Sequence, residues 1–186
     1  PTYEYIDPVR FITNKSSGKQ GYEIAKALSQ RGFETTLISG PTQLNISDDI
    51  NLIKVETTEE MFKATQESLP TDIAIFSAAV ADFKIDKKNF KIKKQENLKI
   101  NLKKNLDILS YISNHNYMRP RLVIGFAAET NDLDINSINK LNNKNCDWII
   151  ANDVSKKDRG FDSDYNEVII HYKNSEKKIE KLSLRK

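Results

Sequence analysis

The stretch DIAIFSAAVADF, residues 72–83, opens as a buried strand and then gives up its large side chains. Ile73, Ala74, Ile75 and Phe76 are apolar on successive positions, as expected of a strand covered on both faces. Ser77, Ala78, Ala79 and Ala81 are small, and Asp82 brings a charge. In open α/β sheets, ligands bind beyond the carboxyl ends of the strands, where small side chains let a ligand reach the backbone. Alanine also serves close helix packing, so one such ending is ambiguous. Two further apolar runs end the same way, in GFAAET (125–130) and ANDVS (151–155). Endings of one kind on several strands point to a shared crevice.

Working outward, strand and helix patterns alternate. TTLISG (35–40), INLIKV (50–55), DIAIFSA (72–78), RLVIGFA (121–127) and CDWIIAN (146–152) read as strands. Between them, residues Gly21–Arg31 carry Ile24, Ala25, Ala27 and Leu28 on one helical face, with Gly32 as a stop. Thr57 with Glu60 has the spacing of a capping box ahead of Met61, Phe62 and Leu69. A third helix starts near Asn105 and buries Ile108, Leu109 and Ile112; a fourth, Asp132–Asn145, buries Leu133, Ile138 and Leu141. NEVIIHY and KKIEKLSL flank KNSE as an antiparallel hairpin. The fold class is therefore α/β: a Rossmann-like, doubly wound, mainly parallel sheet with a C-terminal antiparallel hairpin.

At 186 residues the chain suits one domain. Its single cysteine, Cys146, excludes an internal disulfide and fits a reducing, cytoplasmic setting. No apolar run approaches the roughly 20 residues that span a bilayer. Net charge is only +3, from 29 basic and 26 acidic residues. The basic charge is concentrated: residues 84–104 hold nine lysines against Asp86 and Glu96. Such a window reads as an anion-binding element or as a solvated loop. His115 and His171 are isolated, and no His/Cys spacing suits a metal.

RFITNKSSGKQG (10–21) runs into the first helix. Ser16, Ser17, Gly18 and Gly21 make a small, flexible segment at a helix N-terminus, where free N–H groups favour an anion. A tight turn with a helix cap has the same composition. The segment matches neither the P-loop nor the dinucleotide fingerprint.

Seven segments in one order, PTYEYIDPVRFITNKSSGKQG, TLISGP, AAVADF, KIKK, NLDIL, GFAAET and ANDVS, resemble the phosphopantothenate–cysteine ligase family of coenzyme A biosynthesis. The resemblance implies a single nucleotide-binding ligase domain over 1–186, with a flap at about 84–104. It implies a reaction in which the 4'-phosphopantothenate carboxylate attacks CTP, and L-cysteine then displaces CMP from the acyl-cytidylate. Magnesium accompanies the triphosphate, and no cofactor is tightly bound. Asn14 and Lys91 match catalytic positions; Arg10, Asn14, Ser17 and Gly18 match the pantothenate side. Phe76, Ser77, Ala78, Asp82, Lys91, Leu106, Asp107, Ile108, Leu109, Phe126, Lys140 and Lys144 match nucleotide-binding positions. An ion pair with Asp7 competes for Arg10, and a core role competes for Phe126.

The resemblance further implies a cytoplasmic homodimer in which Arg10 and Asn14 serve across the interface. It implies no nucleic-acid or membrane partner. It places one more strand upstream of Pro1, and a flavin-dependent decarboxylase fused beyond that. Two local departures stand out. Leu106 replaces the family's proline before Asp107, and the flap after Lys94 is short and lacks glycine. Two other functions share parts of the pattern. A nicotinamide-dependent reductase would use the same alternation, and a noncatalytic nucleic-acid or anion binder would use the lysines.

Overall fold

Apolar runs of four to eight residues become strands, and segments with 3.6-residue periodicity become helices, because each buries one stripe of side chains. The computed structural model describes residues 1–94, 99–155, 165–174 and 177–184, with 165–166 and 177–184 described as backbone only. In chain order the elements are β1 (Tyr3–Tyr5), β2 (Phe11–Thr13), α1 (Lys19–Ser29), β3 (Thr36–Ser39), β4 (Asn51–Lys54), α2 (Thr58–Glu67) and β5 (Ile73–Phe76). There follow β6 (Phe83–Ile85), β7 (Leu102–Lys104), α3 (Ile108–Ser113), β8 (Leu122–Glu129), α4 (Leu133–Lys144), β9 (Trp148–Asp153), β10 (Tyr165–Tyr172) and β11 (Lys177–Leu184). The expected strands, helices and C-terminal hairpin are all present, but Ile138, expected to be buried on the fourth helix, is 46% exposed. Ser175 and Glu176 of the KNSE turn, and residues 95–98 of the lysine-rich segment, lie outside the described residues.

The chain packs as two units, Pro1–Glu67 with Ala78–Asp107, and Ser68–Ser77 with Ile108–Lys186. In the second, one sheet runs β11-β10-β9-β8-β5. β5, β8 and β9 are parallel: Ile73 faces Leu122 and Ile124 faces Trp148. β9, β10 and β11 are antiparallel. Ala127, Leu141, Cys146, Ile149 and Ala151 form its buried cluster, with Leu109 and Leu133 packed on it. Gly125 belongs to this packing. A Cβ there would lie 2.8 Å from both Ile149 Cδ1 and Leu109 Cδ2. The Asp147 carboxylate fixes the start of β8, accepting from the Val123 N–H at 2.7 Å and from Arg119 Nη2 at 3.1 Å.

The first unit contains the parallel pair β3–β4 and two antiparallel hairpins, β1–β2 and β6–β7. The sequence had shown neither hairpin. Helix α1 begins after Gly18, whose φ of 79° suits glycine, and ends before Gly32 at φ 84°. Helix α2 carries the expected capping box: the Glu60 N–H donates to Thr57 Oγ1 at 3.2 Å, and the Thr57 N–H donates to Glu60 Oε2 at 3.3 Å. Glu4, buried on β1, adds to this helix start. Its Oε1 accepts from the Thr58 N–H at 3.1 Å and from the Thr58 hydroxyl at 2.7 Å. A carboxylate at a helix N-terminus also opposes the helix dipole favourably.

Replacing Thr57 by Ala is expected to cost about 1 kcal/mol through loss of the cap. That lowers the thermal midpoint by roughly 2–4 °C for a chain of this size. Thr57→Ser should retain most of the stability. Equal losses for Ala and Ser, followed by circular dichroism, would contradict the capping assignment.

Candidate functional site

Leaving β5, the chain has no strand partner for the peptide groups of residues 78–82, yet buried or half-buried peptides need hydrogen bonds. Side chains from distant segments supply them. Asn14 Nδ2, just after β2, donates to the Val80 carbonyl at 3.0 Å and to the Ala79 carbonyl at 3.3 Å. Thr2 Oγ1 accepts from the Ala81 N–H at 3.1 Å. Asn105 Nδ2 donates to the Ala81 carbonyl at 3.0 Å, and the Asn105 N–H donates to the Asp82 carbonyl at 2.8 Å. Ala78 and the Asp82 side chain remain exposed. The sequence-predicted residues Asn14, Ala78 and Asp82 are thus brought together, and the first unit arranges small side chains around an accessible backbone.

Ser17 and Gly18 form the entry to α1. The Ser17 carbonyl accepts from Thr42 Oγ1 at 3.2 Å, so this turn is fastened to the loop after β3. Within the turn the Gly18 N–H donates to Ser16 Oγ and the Lys19 N–H to Ser17 Oγ, both at 3.4 Å.

Lys91 is exposed on the arm between β6 and β7. Its neighbour Ile92 is tied to Asp7 and Arg10. The Ile92 N–H donates to Asp7 Oδ2 at 3.1 Å, and Arg10 Nη2 donates to the Ile92 carbonyl at 3.0 Å. The Asp7 side chain is fully buried. It also accepts from Arg10 Nε at 3.0 Å, from Arg10 Nη2, and from the N–H groups of Val9 (2.9 Å) and Arg10 (3.0 Å). The Arg10 guanidinium holds the Asp7 carboxyl well below the usual carboxylate range; backbone N–H groups add to this against the opposing effect of burial. The expected Asp7–Arg10 ion pair is therefore present, and both Arg10 and Asn14 are engaged within their own chain. Farther along the arm, Lys103 pairs with Asp86 at 2.6 Å and lowers that carboxyl too.

The remaining expected residues are distributed as follows. Leu106 is exposed, and its N–H is taken up by Asn105 Oδ1 at 2.9 Å. Asp107 is half-buried and closes the first unit. In the second unit, Phe76 ends β5 and Ser77 follows it, both half-buried. Ile108 is buried at the start of α3, and Leu109 packs on the cluster around Ala127. Phe126 is half-buried, with its side chain on the opposite face of β8 from Ala127. Lys140 and Lys144 lie one turn apart on α4. Asp7, Thr2 and Asn105 were missed as organisers. Only the Asp7–Arg10 spacing offered a signal for any of them. Among the described residues no group of three or more His, Cys, Asp or Glu side chains is placed to hold a metal. Among them, too, no helix is long and apolar enough to cross a membrane.

Comparison with known proteins adds an independent line. The family model described as "DNA/pantothenate metabolism flavoprotein C-terminal domain" matches residues 1–186. The coenzyme A biosynthesis bifunctional protein CoaBC of Haemophilus influenzae is 43% identical over 182 residues, 96% of this chain and 45% of that protein. That of Escherichia coli K12 is 41% identical over 183 residues, 95% of this chain and 45% of that protein. The chain thus spans somewhat less than half the length of these curated relatives. A crystal structure of the C-terminal domain of CoaBC superposes with a TM-score of 0.81 at 35% identity, covering 100% of this chain and 84% of that one. The DNA/pantothenate metabolism flavoprotein of Streptococcus pneumoniae gives 0.80 at 25% identity, covering 96% and 88%. A Cab2 variant solved in complex with phosphopantothenate-cysteine gives 0.77 at 16% identity, a likeness of fold.

The state of Asp7 sets a pH dependence. Its carboxyl is depressed in the folded chain, so it stabilises the fold above its unfolded value of about 3.9. That stabilisation is lost as pH falls through the lower folded value. Denaturant unfolding at pH 7 should show Asp7→Asn clearly weaker than the parent, and the difference should shrink steadily below about pH 4. A gap that stays constant down to pH 2.5 would contradict the assignment.

Proposed function

The chain belongs to the DNA/pantothenate metabolism flavoprotein C-terminal domain family, and from that membership we propose that it is a phosphopantothenate–cysteine ligase using CTP. The observation that carries this reading is the Asn14 amide bonded to the Ala79 and Val80 carbonyls. That contact joins two of the sequence motifs, 65 and 66 positions apart, at one exposed backbone. The structure of a Cab2 variant with phosphopantothenate-cysteine supports the product class by likeness of fold.

A free carboxylate acylates poorly because oxide is a poor leaving group. In the first step a carboxylate oxygen of 4'-phosphopantothenate bonds to the α-phosphorus of CTP, and the bond to pyrophosphate breaks. In the second, the amine of L-cysteine bonds to the acyl carbon, CMP departs with the electron pair of the carbon–oxygen bond, and the ammonium loses a proton. Neither step needs a protein nucleophile. The protein orients two anions and offsets their repulsion.

Lys91 supplies a point charge that follows the negative charge developing on the departing phosphates. Asn14 orients the acyl-cytidylate while holding the 79–80 turn, and Ser17 and Gly18 receive an anion on the pantothenate side. Phe76, Ser77, Ala78, Asp82, Leu106, Asp107, Ile108, Leu109, Phe126, Lys140 and Lys144 are the positions we assign to the nucleotide, by their match to the family's motifs. Arg10, paired with Asp7 and bonded to the Ile92 carbonyl, is still 41% exposed and joins Ser17 and Gly18 on the pantothenate side. Magnesium enters as the counter-ion of the triphosphate and supplies charge neutralisation there. The described residues form no cage of their own for it.

The chain works in the cytoplasm, as a homodimer. Val9, Phe11 and Ile12, on and beside β2, are 59%, 41% and 38% exposed, an apolar surface suited to a second copy. A decarboxylase domain upstream is the arrangement suggested by the bifunctional relatives.

Pyrophosphate release from CTP should require 4'-phosphopantothenate and magnesium and should precede cysteine addition; CMP should appear only afterwards. Lys91→Gln should slow pyrophosphate release by about 100-fold or more, in line with removal of one transition-state charge contact. An unchanged rate would remove Lys91 from the chemistry. Asn14→Asp replaces a donor by an acceptor opposite two carbonyls. It should let acyl-cytidylate accumulate when cysteine is supplied, and normal conversion by rapid quench would refute the role.

A further inference from the structure

A buried line of hydrogen bonds runs from β1 to the turn that Asn14 holds. Thr2, Glu4 and Thr58 are 0%, 8% and 0% exposed, so their polar groups must find partners inside the chain. At one end Glu4 Oε1 accepts from the Thr58 hydroxyl at 2.7 Å. At the other the Ala81 N–H, which can only donate, donates to Thr2 Oγ1 at 3.1 Å. Between them Thr2 Oγ1 and Thr58 Oγ1 are 3.1 Å apart. A hydroxyl has one proton, and that of Thr58 goes to Glu4. In the middle bond Thr2 therefore donates and Thr58 accepts. The direction of each hydroxyl is set by the two ends.

The line continues past Ala81. Its N–H shares a rigid peptide plane with the Val80 carbonyl, which accepts from Asn14 Nδ2 at 3.0 Å. Chained hydrogen bonds polarise one another, so a peptide whose N–H is engaged offers a stronger carbonyl acceptor. Both ends of the line are anchored. The Thr13 hydroxyl donates to the Thr2 carbonyl at 2.8 Å, and Glu4 Oε1 also accepts from the Thr58 N–H at 3.1 Å, at the start of α2.

We propose that Thr2, Thr58 and Glu4 are positioning residues that orient the Val80–Ala81 peptide, and through it the Asn14 amide, for conversion of the acyl-cytidylate. This rests on the ligase reading given above and adds to it. None of the three touches substrate; all act through one peptide group. Thr2 must carry a hydroxyl, because it accepts from Ala81 and donates to Thr58 at once. Valine has the same shape and does neither. Without that partner the Ala81 N–H is left unsatisfied, and the peptide is free to rotate away from Asn14.

Amide hydrogen exchange tests the line without requiring turnover. In Thr2→Val, exchange at Ala81 should accelerate about tenfold, the opening expected from loss of one buried hydrogen bond. Thr2→Ser should keep the parental rate. The Met61 amide, bonded to the Thr57 carbonyl in α2, is the internal control and should not change. Thr58→Val should accelerate Ala81 less than Thr2→Val does. The double variant should exchange no faster than Thr2→Val alone, because residues acting along one line are not additive.

In Thr2→Val, CMP release after cysteine addition should slow about tenfold, with pyrophosphate release and KM for CTP within about twofold of the parent. Thr2→Ser should restore the rate. Four results would overturn the proposal: parental exchange at Ala81 in folded Thr2→Val; equal acceleration at Met61, which is general loosening; additive effects of Thr2→Val and Thr58→Val; or CMP release at the parental rate while Ala81 is opened, which leaves the line a purely structural role. If Thr2→Val does not fold, Thr58→Val decides by the same two measurements. A parent chain without CTP turnover would refute the ligase reading, and the exchange pattern would still judge the line itself.

Discussion

A peptide segment that leaves a sheet edge while staying close to other parts of the chain must find hydrogen bonds elsewhere, and the rest of the site follows from how residues 78–82 do so. The side chains of Ala78, Ala79, Val80 and Ala81 carry no polar group, and Asp82 is exposed. Asn14, Thr2 and Asn105 therefore reach in from three other segments. The small residues that leave the backbone accessible are the same ones that make these outside partners necessary. Accessibility and order are thus supplied by different residues. Ala78 keeps the surface open, and the amides of Asn14 and Asn105 keep it fixed. A larger residue at 78 would close the space without improving the hydrogen bonding.

Much of the fold was legible because the parallel strands are apolar on consecutive positions and the helices repeat every three to four residues. β3, β4, β5, β8 and β9 lie within a few residues of where those patterns put them. The hairpins β1–β2 and β6–β7 were not legible, for a physical reason. Each strand has only three residues, and β2 and β7 are exposed at every position. Such strands carry no inside–outside alternation, which is the signal that period-2 reading depends on. What defines them is cross-strand contact, such as Tyr3 stacked on Phe11 with centroids 3.9 Å apart. That pairing joins residues whose relation is fixed by register and not by local composition. Leu106 shows a similar limit. A leucine where the family has proline brings an N–H, and only the fold shows that the Asn105 side chain accepts from it.

The site shows the same division. Motif positions were readable because their residue types are unusual for their elements: small residues and Asp82 after a strand, lysines in a dense run, Asn14 before a helix. What holds them was not readable, since a hydrogen bond from residue 14 to residue 80 leaves no trace in either neighbourhood. Asp7 is the clearest case. In sequence it is an acid three positions before an arginine, an arrangement common on solvated surfaces. In the folded chain it is fully buried and accepts from Arg10, Val9 and Ile92. Only the return of residue 92, 85 positions away, gives the pair its depth.

That return also bears on how a lysine-rich arm stays folded with so little acid nearby. Like charges on one short hairpin repel, and at physiological salt the repulsion is screened over about 8 Å. The chain limits it further by pairing Lys103 with Asp86 and laying Lys87 against the Tyr5 ring. Neither contact lies at the Lys91 position, which keeps its charge exposed on a backbone fixed at Ile92. An anion arriving there meets a field already oriented. The free energy of gathering the lysines has been met in folding by contacts at the base and flank of the arm, so less reorganisation is left when an anion binds. Substituting the flank contacts would thus act on the arm as a whole, whereas substituting Lys91 would remove one exposed charge alone.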